Sequence, residues 1–412
     1  MPGPLEGFRI IDLSTMVSGP WGTDMLGDQG ADVIKVEAPG FGDHTRRLQN
    51  RSGGMSATFL NINRSKRSLA LNLKSAEGRE ILVRLAGGAD VLVQNFRPGV
   101  VERLGVGYDD LCEANPRLVY LSISGFGEKG PFAGQRVYDP IVQALSGLTT
   151  VQAGADERRP QLVRTILPDK LTAVTACQAV TAALLARERT GRGQHIRLSM
   201  LDSVLAFLWA SDMGGQTFAG KAVQNQQAAS FIDLIYETRQ GYITVAAMGD
   251  QEWEGLCRAV GHPEWLEDDR FKTPSARDAH VNERLELTQG ALLEKTAAEW
   301  LTILASHDVP CAPALTRNQV LEHPQVVASG ILQQTHHPEA GPLLQTRPAA
   351  RFLDTPTPPP RGAPRLGQHN AEILGEMGYD AAAIEELFAR GIIGGPAEPA
   401  AEPQPGGGNQ PV

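Results

Sequence analysis

A chain of 412 residues with a formal net charge of −9 is long enough for two domains with separate cores. It is also too acidic for long polyanions, which need a broad basic surface, so no nucleic-acid partner is expected. Cys112, Cys177, Cys257 and Cys311 show no CxxC or Cys/His spacing and read as core residues of a reducing compartment, not as metal ligands. The opening Met1-Pro-Gly-Pro-Leu-Glu6 lacks the basic and apolar regions of a signal peptide. The most apolar stretch, 171–186, is interrupted by threonines and Gln178 and falls short of a bilayer span. A cytoplasmic protein without a membrane partner is expected.

In chain order, residues 8–13 read as a strand, 20–29 as a helix closed by Gly30, and 32–37 as a second strand. A strand-like run, Leu69-Ala-Leu-Asn-Leu73, precedes a helix over 76–85, and 89–93 and 118–123 are further strands. Strands separated by helices imply a parallel sheet wrapped on both faces. An apolar strand at 162–167 leads into the longest helix, 168–190. Leu171, Val174, Cys177, Val180 and Leu184 share one face of it, and Gly191 ends it. Residues 194–199 are one more strand. Near residue 215 the texture changes: 231–237 and 242–246 form an antiparallel hairpin through Arg239-Gln-Gly241, followed by helices over 251–260, 276–294 and 297–305. A proline cluster at 356–364 leads to a helix near 382–389. From Gly394 on, ten of 19 residues are Gly or Pro, which predicts a disordered tail.

The strongest chemical signal is a run of 33 residues, from His44 to Ala76, with seven cations and no Asp or Glu: Arg46, Arg47, Arg51, Arg64, Lys66, Arg67 and Lys74. Solvated basic faces are common. Here, however, the charges are mixed with amides and hydroxyls in Asn61-Ile-Asn-Arg-Ser-Lys-Arg-Ser68, a combination that suits phosphate. A phosphorylated small molecule is the ligand expected. Asn95-Phe-Arg-Pro-Gly99 follows a strand end, where its aromatic, amide and Arg97 are placed to hold a nucleotide base. Gly125-Phe-Gly-Glu-Lys-Gly130 matches a dinucleotide fingerprint, but Pro131-Phe-Ala-Gly134 separates it from the next helix, where Asp139 is an N-cap candidate. Asp169 falls in the first turn of the long helix. Such a position often only complements the helix dipole, yet the same field would keep a partly buried carboxylate ionised and nucleophilic at neutral pH.

Seven segments occur in a specific order: Pro4-Leu-Glu-Gly7, Gly30-Ala-Asp-Val-Ile-Lys-Val-Glu37, Lys66-Arg-Ser-Leu-Ala-Leu-Asn-Leu-Lys74, Asn95-Phe-Arg-Pro-Gly99, Tyr138-Asp-Pro140, Thr190-Gly-Arg-Gly-Gln194 and Leu366-Gly-Gln-His369. Together they resemble the family III CoA-transferases, the formyl-CoA transferase and carnitine CoA-transferase group, over nearly all of residues 4–393. The resemblance implies an α/β fold: a Rossmann-like large domain with a parallel sheet, built from 1–221 and 331–393, and a small α+β domain over 222–330. The tail is left at 394–412. It implies ring-shaped subunits interlocked as a homodimer, with acyl-CoA and a carboxylic acid as substrates, coenzyme A as substrate and not a resident cofactor, and no metal. Asp169 matches the family's nucleophile, and Leu71, Lys74, Asn95, Phe96 and Arg103 match positions lining the CoA site. The 3′-phosphate and diphosphate of CoA would then account for the basic stretch.

Departures from the formyl-CoA enzyme are Val17 for a glutamine near the acyl group, Ala38 for an arginine at the adenine, and Asp139 for a glutamate. Nothing between 216 and 231 resembles its glycine-rich lid, which leaves Asn225-Gln-Gln227 to shape a different acyl pocket. Two other readings stand beside this one. An α-methylacyl-CoA racemase of the same superfamily needs an Asp and a His base, the latter in a Gly-His-Asp sequence near 136. This chain has Gly134-Gln-Arg-Val-Tyr-Asp139, and no histidine between His44 and His195. A non-catalytic CoA-binding protein is the other, against which an intact Asp169 argues.

Overall fold

The computed structural model describes residues 3–220, 234–247 and 249–395. The Asn225-Gln-Gln227 stretch, the start of the expected hairpin at Phe231 and the tail beyond 395 lie outside the described residues. The chain divides into two compact units, one of Met1–Leu148, Leu162–Ala210 and Ile331–Val412, the other of Thr149–Gln161 and Ser211–Gly330. The second unit therefore starts ahead of the expected residue 222 and takes in a short segment from the first half of the chain.

The first unit contains β1 (Arg9–Asp12), α1 (Ser18–Asp28), β2 (Asp32–Glu37), β3 (Lys66–Ala70), α2 (Ala76–Gly87), β4 (Val91–Gln94), α3 (Val100–Leu104), β5 (Val119–Ser124), α4 (Asp139–Leu145), α5 (Leu167–Thr190), β6 (His195–Ser199) and α6 (Met200–Trp209). The strands pair in parallel in the order β3-β2-β1-β4-β5-β6. Alternate residues serve opposite faces. Ile11, Ile34, Leu69 and Leu92 pack with Ile81 and Leu82 of α2 and with Ile373 and Leu374 from the C-terminal part. Ile10, Val33, Val91 and Val119 pack instead with Leu26 of α1 and with Val180 and Leu184 of α5. Burial on both faces is why these strands read as unbroken apolar runs. The strand order reverses between β1 and β4, and the crevice at the carboxyl ends of such a pair is where open α/β sheets bind ligands.

Several expectations are corrected. Residues 162–167 form no strand: Leu162 and Ile166 are exposed, and the segment's backbone is bound to the Gln143 side chain, leaving no ladder partner. The buried face of α5 is Thr172, Ala173, Ala176, Val180, Ala183 and Leu184, whereas Val174 is half exposed. The cause is close packing against α1: a β-carbon at Gly22 would come within 3.2 Å of the Ala173 carbonyl oxygen, so small residues face inward and larger ones turn out. Strand β3 begins inside the cation-rich run, at Lys66 and not at Leu69. Gly394 and Gly395, assigned by composition to the tail, are bonded into the unit: Gly394 N–H donates to the Ala70 carbonyl (3.2 Å), and the Gly395 carbonyl accepts from Gly40 N–H (2.9 Å).

In the second unit, Ile235–Glu237, Tyr242–Val245 and Cys311–Pro313 form an antiparallel sheet. Trp253, Trp265, Phe271 and Trp300 fill its core, with the Trp300 indole N–H donating to the Leu292 carbonyl at 2.7 Å. The helix expected over 276–294 is two, Pro274–Ala279 and Val281–Leu292, because His280 leaves helical geometry at φ −117°. Among the described residues, no helix is long and apolar enough to cross a membrane.

Candidate active site

The loops that leave β1, β4 and β5 enclose a cleft of about 250 Å³ in the first unit. Thr15, Met16 and Ser18 follow β1; Asn95, Phe96 and Arg97 follow β4; Ile123, Ser124 and Gly125 end β5. Asp139 from the start of α4 and Asp169 from the first turn of α5 complete it, with Arg136, Tyr138 and Met200. The site thus sits at the reversal of strand order. No helix opens directly after Gly125–Gly130, so that glycine run is no pyrophosphate cradle, and of its residues Gly125 lines the cleft.

Asp169 is partly buried. Burial first, and the nearby Asp139 carboxylate second, push its carboxyl up to about 6, while the Ser18 hydroxyl and backbone N–H stabilise its charge. Burial and a like charge therefore outweigh the helix field that the sequence suggested would dominate. At pH 7 such a carboxylate is still roughly nine-tenths ionised. Ser18 opens α1, two residues earlier than expected, so the positive end of that helix faces Asp169. Asp139 is not the N-cap of α4; Tyr138 holds that place. Asp139 instead accepts the Asp169 backbone N–H (3.2 Å) and an N–H from the Gln143 amide (2.6 Å), and burial raises its carboxyl too.

Beneath the cleft lies a closed ionic layer. Asp12 is fully buried and accepts from Ser14 N–H (2.9 Å), the Ser14 hydroxyl, the Thr23 hydroxyl (2.9 Å) and Lys66 Nζ (2.9 Å). Lys35 Nζ donates to the Ser14 carbonyl (2.9 Å) and pairs with Asp43 (3.0 Å). Asp43 in turn accepts from Met16 N–H at 3.3 Å. Met16 is held at φ 68°, a left-handed backbone that non-glycine residues adopt reluctantly.

This layer absorbs much of the basic stretch. Arg46 pairs with Glu37, Arg64 with Asp28, Lys66 with Asp12, and Arg67 with Asp32, Glu372 and Glu376. These four cations are structural. Lys74 stays exposed and carries no ion pair among the described residues, as do Arg97 and Arg136 at the cleft. Of the residues expected at the CoA site, Asn95 and Phe96 line the cleft with Asp169. The Asn95 amide is not free to read a base, because it bonds both Thr15 N–H (2.9 Å) and the Thr15 carbonyl (2.7 Å), locking two cleft loops together. Leu71 is sealed in the core at 1% exposure. Arg103 is exposed on α3, with Nη1 3.1 Å from where a β-carbon at Gly99 would sit. Ser18, Met16, Gln143 and Arg136 went unsingled in the sequence. Only Gln143 left a trace, standing one helical turn after Asp139.

The sequence matches CoA-transferase family III across residues 5–370. The chain belongs to that family and is a CoA-transferase. It is similar to the succinyl-CoA:glutarate CoA-transferase of Homo sapiens, 33% identical over 396 residues that cover 95% of this chain and 90% of the relative. The acetyl-CoA:oxalate CoA-transferase of Acetobacter aceti is 36% identical, covering 91% of this chain and 96% of the relative. A CAIB/BAIF family protein from Brucella suis superposes with a TM-score of 0.79 at 32% identity, over 92% of this chain and 100% of its own. In this CoA-transferase the cleft at the sheet's reversal point is therefore the candidate active site.

Proposed function

We propose that this CoA-transferase moves CoA from an acyl-CoA thioester to a free carboxylic acid through covalent intermediates on Asp169. The observation that carries this is the Asp169 carboxylate in the cleft, partly shielded from water, largely ionised at pH 7 and faced by the start of α1. Exchange without hydrolysis requires the acyl group to be held between half-reactions. Asp169 attacks the thioester carbonyl, giving a mixed anhydride and releasing CoA thiolate. The thiolate attacks the aspartyl carbonyl of that anhydride, giving an aspartyl-CoA thioester and freeing the first acid. The acceptor carboxylate attacks in turn, and the same two steps run in reverse to regenerate Asp169 and release the new acyl-CoA. Loop amides beside Ser18 are suited to hold the oxyanion of each tetrahedral intermediate.

The CoA nucleotide is assigned to Lys74, Phe96 and Arg103, with Arg97 and Arg136 adding positive charge at the cleft; Leu71, sealed in the core, and Asn95, tied to Thr15, offer it no free side chain. The resemblance also implies the interlocked homodimer. Supporting a partner surface, Ile141, Leu145, Val174, Leu185, Phe207 and Trp209 are exposed apolar residues of the first unit. The four unpaired cysteines support a reducing, cytoplasmic setting. Asp169→Ala is expected to abolish transfer and leave CoA binding nearly unchanged. Incubation with acyl-CoA should make Asp169 reactive to hydroxylamine and reducible by borohydride. Transfer by the Ala variant, or label on Asp139 instead, would defeat the assignment. A panel of acyl-CoA donors and acids read by mass spectrometry identifies the pair exchanged.

A further inference from the structure

We infer that Asp139 and Gln143 form a positioning clip that fixes the first turn of α5, and with it the Asp169 carboxylate; the inference rests on Asp169 being the nucleophile. The two residues stand four apart on α4 and so share a face. Both are almost without water, at 4% and 2% exposure. Gln143 uses both ends of its amide. Its Oε1 accepts Val163 N–H at 2.9 Å, and its Nε2 donates to the Thr165 carbonyl (3.2 Å) and to Asp139 Oδ1 (2.6 Å). Asp139 Oδ2 accepts the Asp169 N–H at 3.2 Å. An unbroken chain of bonds thus runs from the segment entering α5, through α4, back to the backbone of Asp169.

An ordinary N-cap is a neutral or acidic side chain adjacent in sequence. α5 has none: Ile166 occupies the N-cap and supplies no side-chain bond. The remote carboxylate that takes over opens onto the same cleft as Asp169. It therefore holds the turn and also places a negative charge beside the nucleophile, which raises the basicity of Asp169. A more basic carboxylate attacks a thioester faster. The other groups around Asp169 are Ser18 from α1, Arg97 from the loop after β4, Arg136 from the loop before α4, and Lys170, whose ammonium is tied to the Thr165 hydroxyl at 2.8 Å. Asp139 is the one that combines contact with like charge.

The test is the pH dependence of acyl-enzyme formation in the full chain, with Asp169 labelling as the readout. Asp139→Asn keeps the size and removes the charge. It should lower kcat about tenfold to a hundredfold with KM for acyl-CoA nearly constant, and move the acid limb down by roughly one pH unit. Asp139→Glu keeps the charge and should keep the limb. Gln143→Met keeps Asp139 but cuts the chain, and should lower kcat with little change in CoA affinity; it carries the test if Asp139→Asn does not fold. A folded Asp139→Asn variant with wild-type rate and limb overturns the inference, as does a loss of melting temperature without any movement of the limb. If wild-type protein is labelled at Asp169 in those experiments, only the clip is refuted. If wild-type Asp169 takes no label, the nucleophile assignment fails and the clip falls with it.

Discussion

The ionic layer under β1 to β3 and the cleft above it are built from the same residue types and answer to acid in opposite ways. In the layer, burial alone would raise Asp12, Glu37 and Asp43, but Lys35, Lys66 and Arg46 overcome it and hold these carboxyls below their ordinary values. In the cleft, burial meets no cation in contact, and Asp139 and Asp169 are both raised. Lowered carboxyls contribute stability above their unfolded values near pH 4, and that stability is lost as pH falls through the folded values. Raised carboxyls impose a cost that is fully present above the folded value and absent below the unfolded one. The layer is a stability device, and the cleft is maintained at the expense of stability, as fits a candidate active site. Asp24 is the exception in the layer: burial and Asp28 raise it, despite Lys66 and Arg64 nearby.

The sharpest break of this comparison is Asp12→Ala. It leaves the buried Lys66 without its carboxylate partner, while Lys35 keeps Asp43, and should cost about 3–5 kcal/mol in urea unfolding. A loss of activity at unchanged stability would mean that Asp12 belongs to the cleft and not to the layer. Arg136→Gln should do the reverse, weakening acyl-CoA binding about tenfold while shifting unfolding by less than ~0.5 kcal/mol. Titration calorimetry at two salt concentrations checks it, because the difference should shrink as salt rises.

Asp169→Asn removes the raised carboxyl. At pH 8 the variant should be more stable than wild type by on the order of 1–2 kcal/mol, allowing for partial solvent contact. The advantage should decline between about pH 6 and pH 4, the interval over which the wild-type group takes up its proton in the folded state. Melting temperatures across pH 4–8 decide this, and a constant offset would contradict it. Lys74→Ala, at the exposed end of the basic stretch, should reduce affinity for CoA and for several acyl-CoAs by similar, roughly severalfold factors, without changing stability. A loss confined to one acyl-CoA would remove Lys74 from the nucleotide site. Smallest is the effect at the C-terminal end. A chain stopped after Ile393 loses the bonds of Gly394 and Gly395 and should be less stable by about 1 kcal/mol than one stopped after Gly395. Equal melting of the two would show those bonds to be inconsequential.

Period and punctuation made β1, β2, β4 and β5 legible, and Gly191 marks the end of α5 as expected. Those signals are local: an apolar run buried on both faces, or a glycine at φ 72°, requires no knowledge of the rest of the chain. The 162–167 segment departs from the expected strand for the complementary reason. Its apolar residues suit a strand, but a strand also needs a neighbour, and Gln143 had already taken its backbone groups.

The same division holds for the site. The ordered motifs of the sequence located Asp169, Asn95 and Phe96, and the structure brings these three to one cleft. Sequence also identified where cationic charge is dense. It did not say which charges are available, because the carboxylates that neutralise Arg64, Lys66 and Arg67 come from Asp28, Asp12, Asp32, Glu372 and Glu376, the last two some 300 positions away. Nor did it give Ser18, Asp139 and Gln143 their parts around Asp169. Propensity and composition act over a few neighbouring residues, and so they determined the elements and the candidate nucleophile. Charge availability, proton affinity and orientation depend on desolvation and on partners distant in sequence, and only the tertiary structure decided them.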